Sequence, residues 1–133
     1  MKYLLMMMQN RANMNCEPIH MWPKKDIQAH IKFMMDLNRE LKASGEFVSA
    51  EGLAGPEQAK IVRAGVNGEP ITDGVFPESK EFLAGFWILD VESAERAYAI
   101  AARASTAPGV NGVALNMPIE VRQILGGPPE DWV

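Results

Sequence analysis

Two stretches of this chain are apolar on both faces of any strand they could form, and this constrains the fold most. In the first, Lys2 to Met8, the alternating sets Tyr3/Leu5/Met7 and Leu4/Met6/Met8 are both apolar. In the second, within Glu81 to Val91, Phe82, Phe86 and Ile88 point one way while Leu83, Trp87, Leu89 and Val91 point the other. Side chains alternate along a strand, so a sheet wetted on one face reads apolar-polar-apolar. Neither stretch does. Both ask for burial on two faces.

The remaining elements follow from periodicity and turn chemistry. Asp26 can cap a helix running to about Ser44, with Gly45 as its stop and Ile27, Ile31, Met34, Leu37 and Leu41 as its core stripe. Asp36, Arg39 and Glu40 fall mainly on its solvent side. Glu46 to Glu51 reads as a short strand. Lys60 to Val66 and Glu69 to Thr72 read as a hairpin about Asn67-Gly68, a dipeptide suited to positive φ at both turn positions. Pro70 puts the return arm on an edge. Ser93 caps a second helix, whose Ala94, Ala97, Ala101 and Ala104 allow close approach to a sheet. Ile119 to Ile124 is the last strand, with Ile119/Val121 opposite Glu120/Arg122. Residues 9–25 read as a long loop and 126–133 as a tail; Trp22 and Trp132 in them suit a dimer rim, a lid or simple surface anchoring.

The order β-α-β-β-β-α-β with an antiparallel sheet is an α+β sandwich of the ferredoxin-like kind. Two helices cover only one face of such a sheet. The two-faced strands therefore call for a second covering layer, and the same face of a second subunit supplies it. A homodimer through the sheet face is the expected assembly.

Composition excludes more than it selects. At 133 residues the chain holds one domain with one core. Its net charge of −4 argues against direct nucleic-acid binding, which needs a basic surface. A single cysteine, Cys16, excludes an internal disulfide framework and fits a reducing compartment. The run Tyr3–Met8 is too short for a secretory or membrane-spanning segment, so a bacterial-type cytoplasmic protein without a membrane partner is the expectation. His20 and His30, the only histidines, lack the paired spacings of zinc sites, and no phosphate loop is present. Neither a metal nor another cofactor is expected.

The densest cluster of unusual residues is Thr72-Asp73-Gly74-Val75-Phe76-Pro77-Glu78-Ser79-Lys80-Glu81. Its DGVFPESKE, followed by FLAGFW, resembles the DGPFAETKE and LGGFW runs of the YCII-related domain family, in the branch named for its DGPF motif. The resemblance extends through His30 to Leu41, Ala50-Glu51-Gly52-Leu53, the strand into Asp90-Val91, the Ala-rich helix and Ile119-Glu120-Val121-Arg122. Val75 stands where the motif has proline, and Pro77 where it usually has alanine, so the rigid turn residue is displaced by two positions.

This resemblance implies a dimeric α/β-barrel, two ferredoxin-like units joined sheet to sheet. It also implies kinship with small cofactor-free enzymes that work in a cleft between sheet and helix. For the family itself it implies a His–Asp pair as catalytic site, and some members are encoded with, or fused to, alternative sigma factors. On this chain the matching pair is His30 and Asp73.

Each candidate has a structural alternative. His30, three residues after Ile27 and four before Met34, lies on or beside the buried stripe, where an imidazole can act as general base or simply satisfy one hydrogen bond. Asp73 before Gly74 can orient that histidine or bond its own turn. Phe76, Glu78 and Lys80 can line a ligand mouth or form a solvated charged face. Arg122 can hold a ligand carboxylate or pair with Glu120. Three functions fit: a cofactor-independent enzyme acting on an unidentified small organic molecule, a non-catalytic binding or regulatory dimer, and a purely structural dimerisation module.

Overall fold

The structure is a computed structural model that describes residues 1–10, 19–74 and 81–132. Among the described residues, six strands and two longer helices run in the order β1 (Lys2–Asn10), α1 (Lys24–Ala43), β2 (Phe47–Gly52), β3 (Lys60–Ala64), β4 (Pro70–Gly74), β5 (Glu81–Asp90), α2 (Ala94–Ser105) and β6 (Ile119–Gln123). Four strands form one antiparallel sheet in the order β2-β5-β1-β6. The two strands most apolar in sequence, β1 and β5, are its central pair. Among the described residues, β3 and β4 pair only with each other, as a separate two-stranded sheet inserted between β2 and β5. Without that insert the order is β-α-β-β-α-β, an antiparallel α+β arrangement of the ferredoxin-like kind.

Cross-strand partners share a face, so the register shows where each side chain goes. Tyr3 faces Leu89 and Gln123, and Leu5 faces Trp87 and Val121. Tyr3, Leu5, Trp87 and Leu89 are buried against Leu37 and Leu41 of α1 and Ala97, Ile100, Ala101 and Ala104 of α2. Both helices thus lie on one face. On the other face, Leu4 pairs with Ile88 and Met6 with Phe86; all four fall outside the core cluster and stay half-buried. The pairing slips between Met7 and Met8, so that Met7 faces Gly85 while Met8 faces Leu83. This bulge breaks the simple alternation expected for β5 and takes Leu83 out of the Trp87 row.

Several boundaries differ from expectation for local reasons. α1 starts at Lys24, not after an Asp26 cap: the Pro23 carbonyl already accepts from the Asp26 and Ile27 amides at 2.9 and 3.1 Å. Asp26 is therefore the third helical residue, and it is buried. The stop at Gly45 is as expected. Its φ of +81° lets Gly45 N–H reach the Lys42 carbonyl and Glu46 N–H the Leu41 carbonyl, which closes the helix in a Schellman motif. Ile31 does not join the core stripe; it is 47% exposed, while Phe33 packs inward instead.

The hairpin exists, but its turn is different. Of Asn67 and Gly68 only Gly68 has positive φ, and Gly68 N–H bonds to Gly65 O across Val66 and Asn67. This is a three-residue loop with glycine in the left-handed position rather than a two-residue one. Trp22 is buried, which leaves no place for simple surface anchoring, whereas Trp132 is 73% exposed. β1 extends to Asn10, so residues 9 and 10 belong to a strand; residues 11–18 of the expected loop lie outside the described residues.

Candidate functional site

His30 projects from the second turn of α1 and is half-buried. Its Nδ1 lies 3.0 Å from the Pro108 carbonyl oxygen, beyond the end of α2. A carbonyl can only accept, so Nδ1 carries the hydrogen and the neutral ring has its lone pair on Nε2. The Trp22 ring meets the imidazole edge-on, with centroids 5.6 Å apart and planes at 88°. Pro108 is itself held, through an isolated bridge with Ala114.

Asp73 occupies a different part of the molecule. It lies in β4 opposite Ile61, and its Oδ2 accepts from Arg63 Nη2 at 3.2 Å. Both partners are more than half exposed. Among the described residues, His30 and Asp73 share no hydrogen bond or ion pair. The imidazole is oriented here by a backbone carbonyl, and the carboxylate by an arginine. Phe76, Glu78 and Lys80 lie outside the described residues.

Arg122 stands on β6 opposite Leu4, and Glu120 opposite Met6. Both therefore border the half-buried apolar face of the sheet. No ion pair joins them among the described residues. Arg122 is exposed beside that face.

A surface cleft of about 340 Å³ opens elsewhere, between α2 and β6, lined by residues such as Tyr98, Ser105, Asn116, Met117 and Ile119. Neither His30, Asp73 nor Arg122 lines it. Among the described residues, no group of three or more His, Cys, Asp and Glu side chains could hold a metal ion, and no helix is long and apolar enough to cross a membrane.

Sequence reasoning missed two features of the α1 end of the molecule. One is Pro108 as the partner of His30, a long-range contact with no local signal. The other is Asp26, read as a cap but in fact 5% exposed, with Oδ2 lacking any hydrogen-bond partner among the described residues. The spacing of Asp26 and His30, one helical turn, was visible in the sequence.

The fold is an antiparallel α+β domain in which His30 of α1 is set by the Pro108 carbonyl. The family profile of the YCII-related domain matches residues 1–120, and the chain belongs to that family. No curated protein matches it.

Proposed function

We propose that this YCII-related protein, of the DGPF branch, acts as a homodimer on a small organic molecule without a cofactor, with His30 as the proton-transferring group. The observation that carries the reading is the contact of His30 Nδ1 with the Pro108 carbonyl. It fixes the tautomer, so Nε2 is the atom that takes a proton from the ligand and returns it. Asp73, the segment with Phe76, Glu78 and Lys80, and Arg122 are proposed as further ligand contacts apart from the His30 centre. A half-buried apolar sheet face supports dimerisation, since a second copy would cover Leu4, Met6, Phe86 and Ile88.

A second reading is favoured by the Arg63–Asp73 pair. A carboxylate already engaged on an exposed hairpin suits ligand recognition better than proton relay. In that reading the same dimer binds its ligand without chemistry and passes occupancy to a regulatory partner, such as an alternative sigma factor.

Identification of a co-purifying molecule by native mass spectrometry, followed by turnover assays on it, tests both. The catalytic reading expects conversion by the native protein and a fall of about 10²–10⁴-fold in His30→Ala with binding retained. Wild-type turnover in His30→Ala would end it, and binding without conversion in the native protein would establish the second reading. Sedimentation tests the assembly: Met6→Lys or Ile88→Lys should yield monomers, and dimers of unchanged affinity would refute the sheet-face interface.

A further inference from the structure

β6 is an outer strand of the four-stranded sheet, paired with β1 on one side and open on the other among the described residues. Two hydrogen bonds fix which of its backbone groups face the open side. Met8 N–H donates to the Pro118 carbonyl at 3.3 Å, and Ile124 N–H donates to the Lys2 carbonyl at 2.8 Å. Bonded and non-bonded pairs alternate along an antiparallel ladder. Glu120 and Arg122 therefore turn their backbone N–H and C=O groups towards β1. Ile119, Val121 and Gln123 turn theirs outward, along a strand with no proline and no slip in its pairing. Such an edge is a template for another strand.

The side chains decide which strand fits. Glu120 and Arg122 flank Val121 on one face of β6, and both are exposed. Neither side chain has a hydrogen-bond or ion-pair partner among the described residues. If β6 pairs antiparallel with a second β6 about Val121, then Val121 stands opposite itself and Ile119 opposite Gln123. These are the outward-facing residues, so each such pair exchanges two backbone hydrogen bonds. Glu120 then stands opposite Arg122 of the second copy, and Arg122 opposite its Glu120, in the non-bonded pairs whose side chains come closest. The order of charges is complementary to its own reverse. At the other edge of the sheet, β2 has Glu51 as its only charge and offers no such match. The cleft between α2 and β6 borders the β6 edge, so Ile119 and Val121, which line it, gain Gln123 and Val121 of the second copy as neighbours.

We infer that two copies of this chain join β6 to β6 about a twofold axis at Val121, making one continuous sheet across both copies. The contact is isologous and closes on a pair. It goes beyond the proposed sheet-face dimer and is separate from it, since Leu4, Met6, Phe86 and Ile88 take no part. In the joined form Arg122 meets Glu120 of the second copy rather than a ligand. Five residues a copy make a small contact, so it forms in concentrated solution, above the range in which the sheet face associates.

Amide hydrogen exchange followed by NMR on the native protein, over a series of concentrations, tests this. The Glu120 and Arg122 amides, bonded to β1, should be protected throughout. Those of Ile119, Val121 and Gln123 should exchange freely when dilute and slow by at least about tenfold when concentrated. Ile88→Lys, which removes the sheet-face contact, should leave this behaviour unchanged. Glu120→Arg sets like charges opposite each other and should weaken the association by about tenfold, and adding Arg122→Glu should restore it. Val121→Pro, which takes away only an outward N–H, should abolish it. Four results would each overturn the inference: free exchange of the three amides at every concentration, loss of their protection in Ile88→Lys, protection surviving in Val121→Pro, or a double variant that associates no better than Glu120→Arg. Failure of the sheet-face reading shows separately, as an unchanged mass of Ile88→Lys in dilute solution.

Discussion

Arg96 grips Glu46 through two parallel hydrogen bonds, Nε to Oε2 and Nη2 to Oε1, each 2.8 Å long. The pair ties the first turn of α2 to the residue that leads into β2. Ser44 adds a hydrogen bond from its hydroxyl to Oε1 at 2.7 Å. The Arg96 hydrogen bonds, and secondarily that of Ser44, outweigh partial burial and hold the Glu46 carboxyl at about 2, against an ordinary 4.5.

The folded carboxyl is thus more acidic than the unfolded one, so its stabilisation is fully present above the unfolded value and is lost as pH falls towards the folded one. Because Arg96 is nearly half exposed, solvent screening reduces the effect to about 1–2 kcal/mol. Denaturant unfolding of the native protein and Glu46→Gln should differ by that amount near neutrality and converge as pH approaches 2. A constant difference across this range would contradict the assignment.

Trp87 donates its indole N–H to Asn38 Oδ1 at 2.9 Å, pinning β5 to α1. Trp87 is 5% exposed, so removing the acceptor strands a buried donor. Asn38→Leu should cost about 1–3 kcal/mol, and adding Trp87→Phe to it should recover part of that loss. A double-mutant cycle with no coupling would show that the bond contributes nothing.

Gly85 sits in the middle of β5, opposite Gly52 at the end of β2. A Cβ there would lie 2.9 Å from the backbone oxygen of Glu51. Gly85→Ala should push β2 away from β5 and destabilise the protein by about 1–3 kcal/mol. Hydrogen exchange should show the loss of protection concentrated in β2; an unchanged exchange pattern there would count against it.

Leu5 and Ile31 make a paired test of where the core lies. Leu5 has no exposed surface, so Leu5→Ala should cost about 2–5 kcal/mol. Ile31 is 47% exposed despite its place in the helical repeat, and Ile31→Ala should change stability by no more than about 0.5 kcal/mol. Similar losses in thermal unfolding would mean that the helix face is wrongly assigned.

How much was legible in the sequence depended on whether the cause was local. Tyr3 to Met8 and Phe82 to Leu89 stood out because neither shows polar alternation, and they are the two central strands of the sheet. Ser93 and Gly45 announced helix ends because capping is decided within a few residues. The slip between Met7 and Met8, by contrast, is set by pairing with another strand. The start of α1 turned on whether Pro23 or Asp26 held the first amides, and the local pattern allowed either. For the site, sequence brought out His30 as a side chain, but its partner Pro108 is 78 positions away. Asp73 stood out through its motif, and only the fold showed it engaged by Arg63.

The β3–β4 hairpin leaves and rejoins the main sheet at neighbouring strands: Leu53 N–H still bonds to the Ala84 carbonyl at 2.9 Å as the chain departs, and β5 begins at Glu81. The two ends of the excursion thus meet on the neighbouring strands β2 and β5. Its length enters the free energy only slowly, through the entropy of closing a loop whose ends are already fixed. Natural selection could lengthen, shorten or exchange this branch, Asp73 included, as a graft on an unaltered trunk. Diversity among YCII-related proteins can arise there while the four-stranded frame and its helices stay as they are.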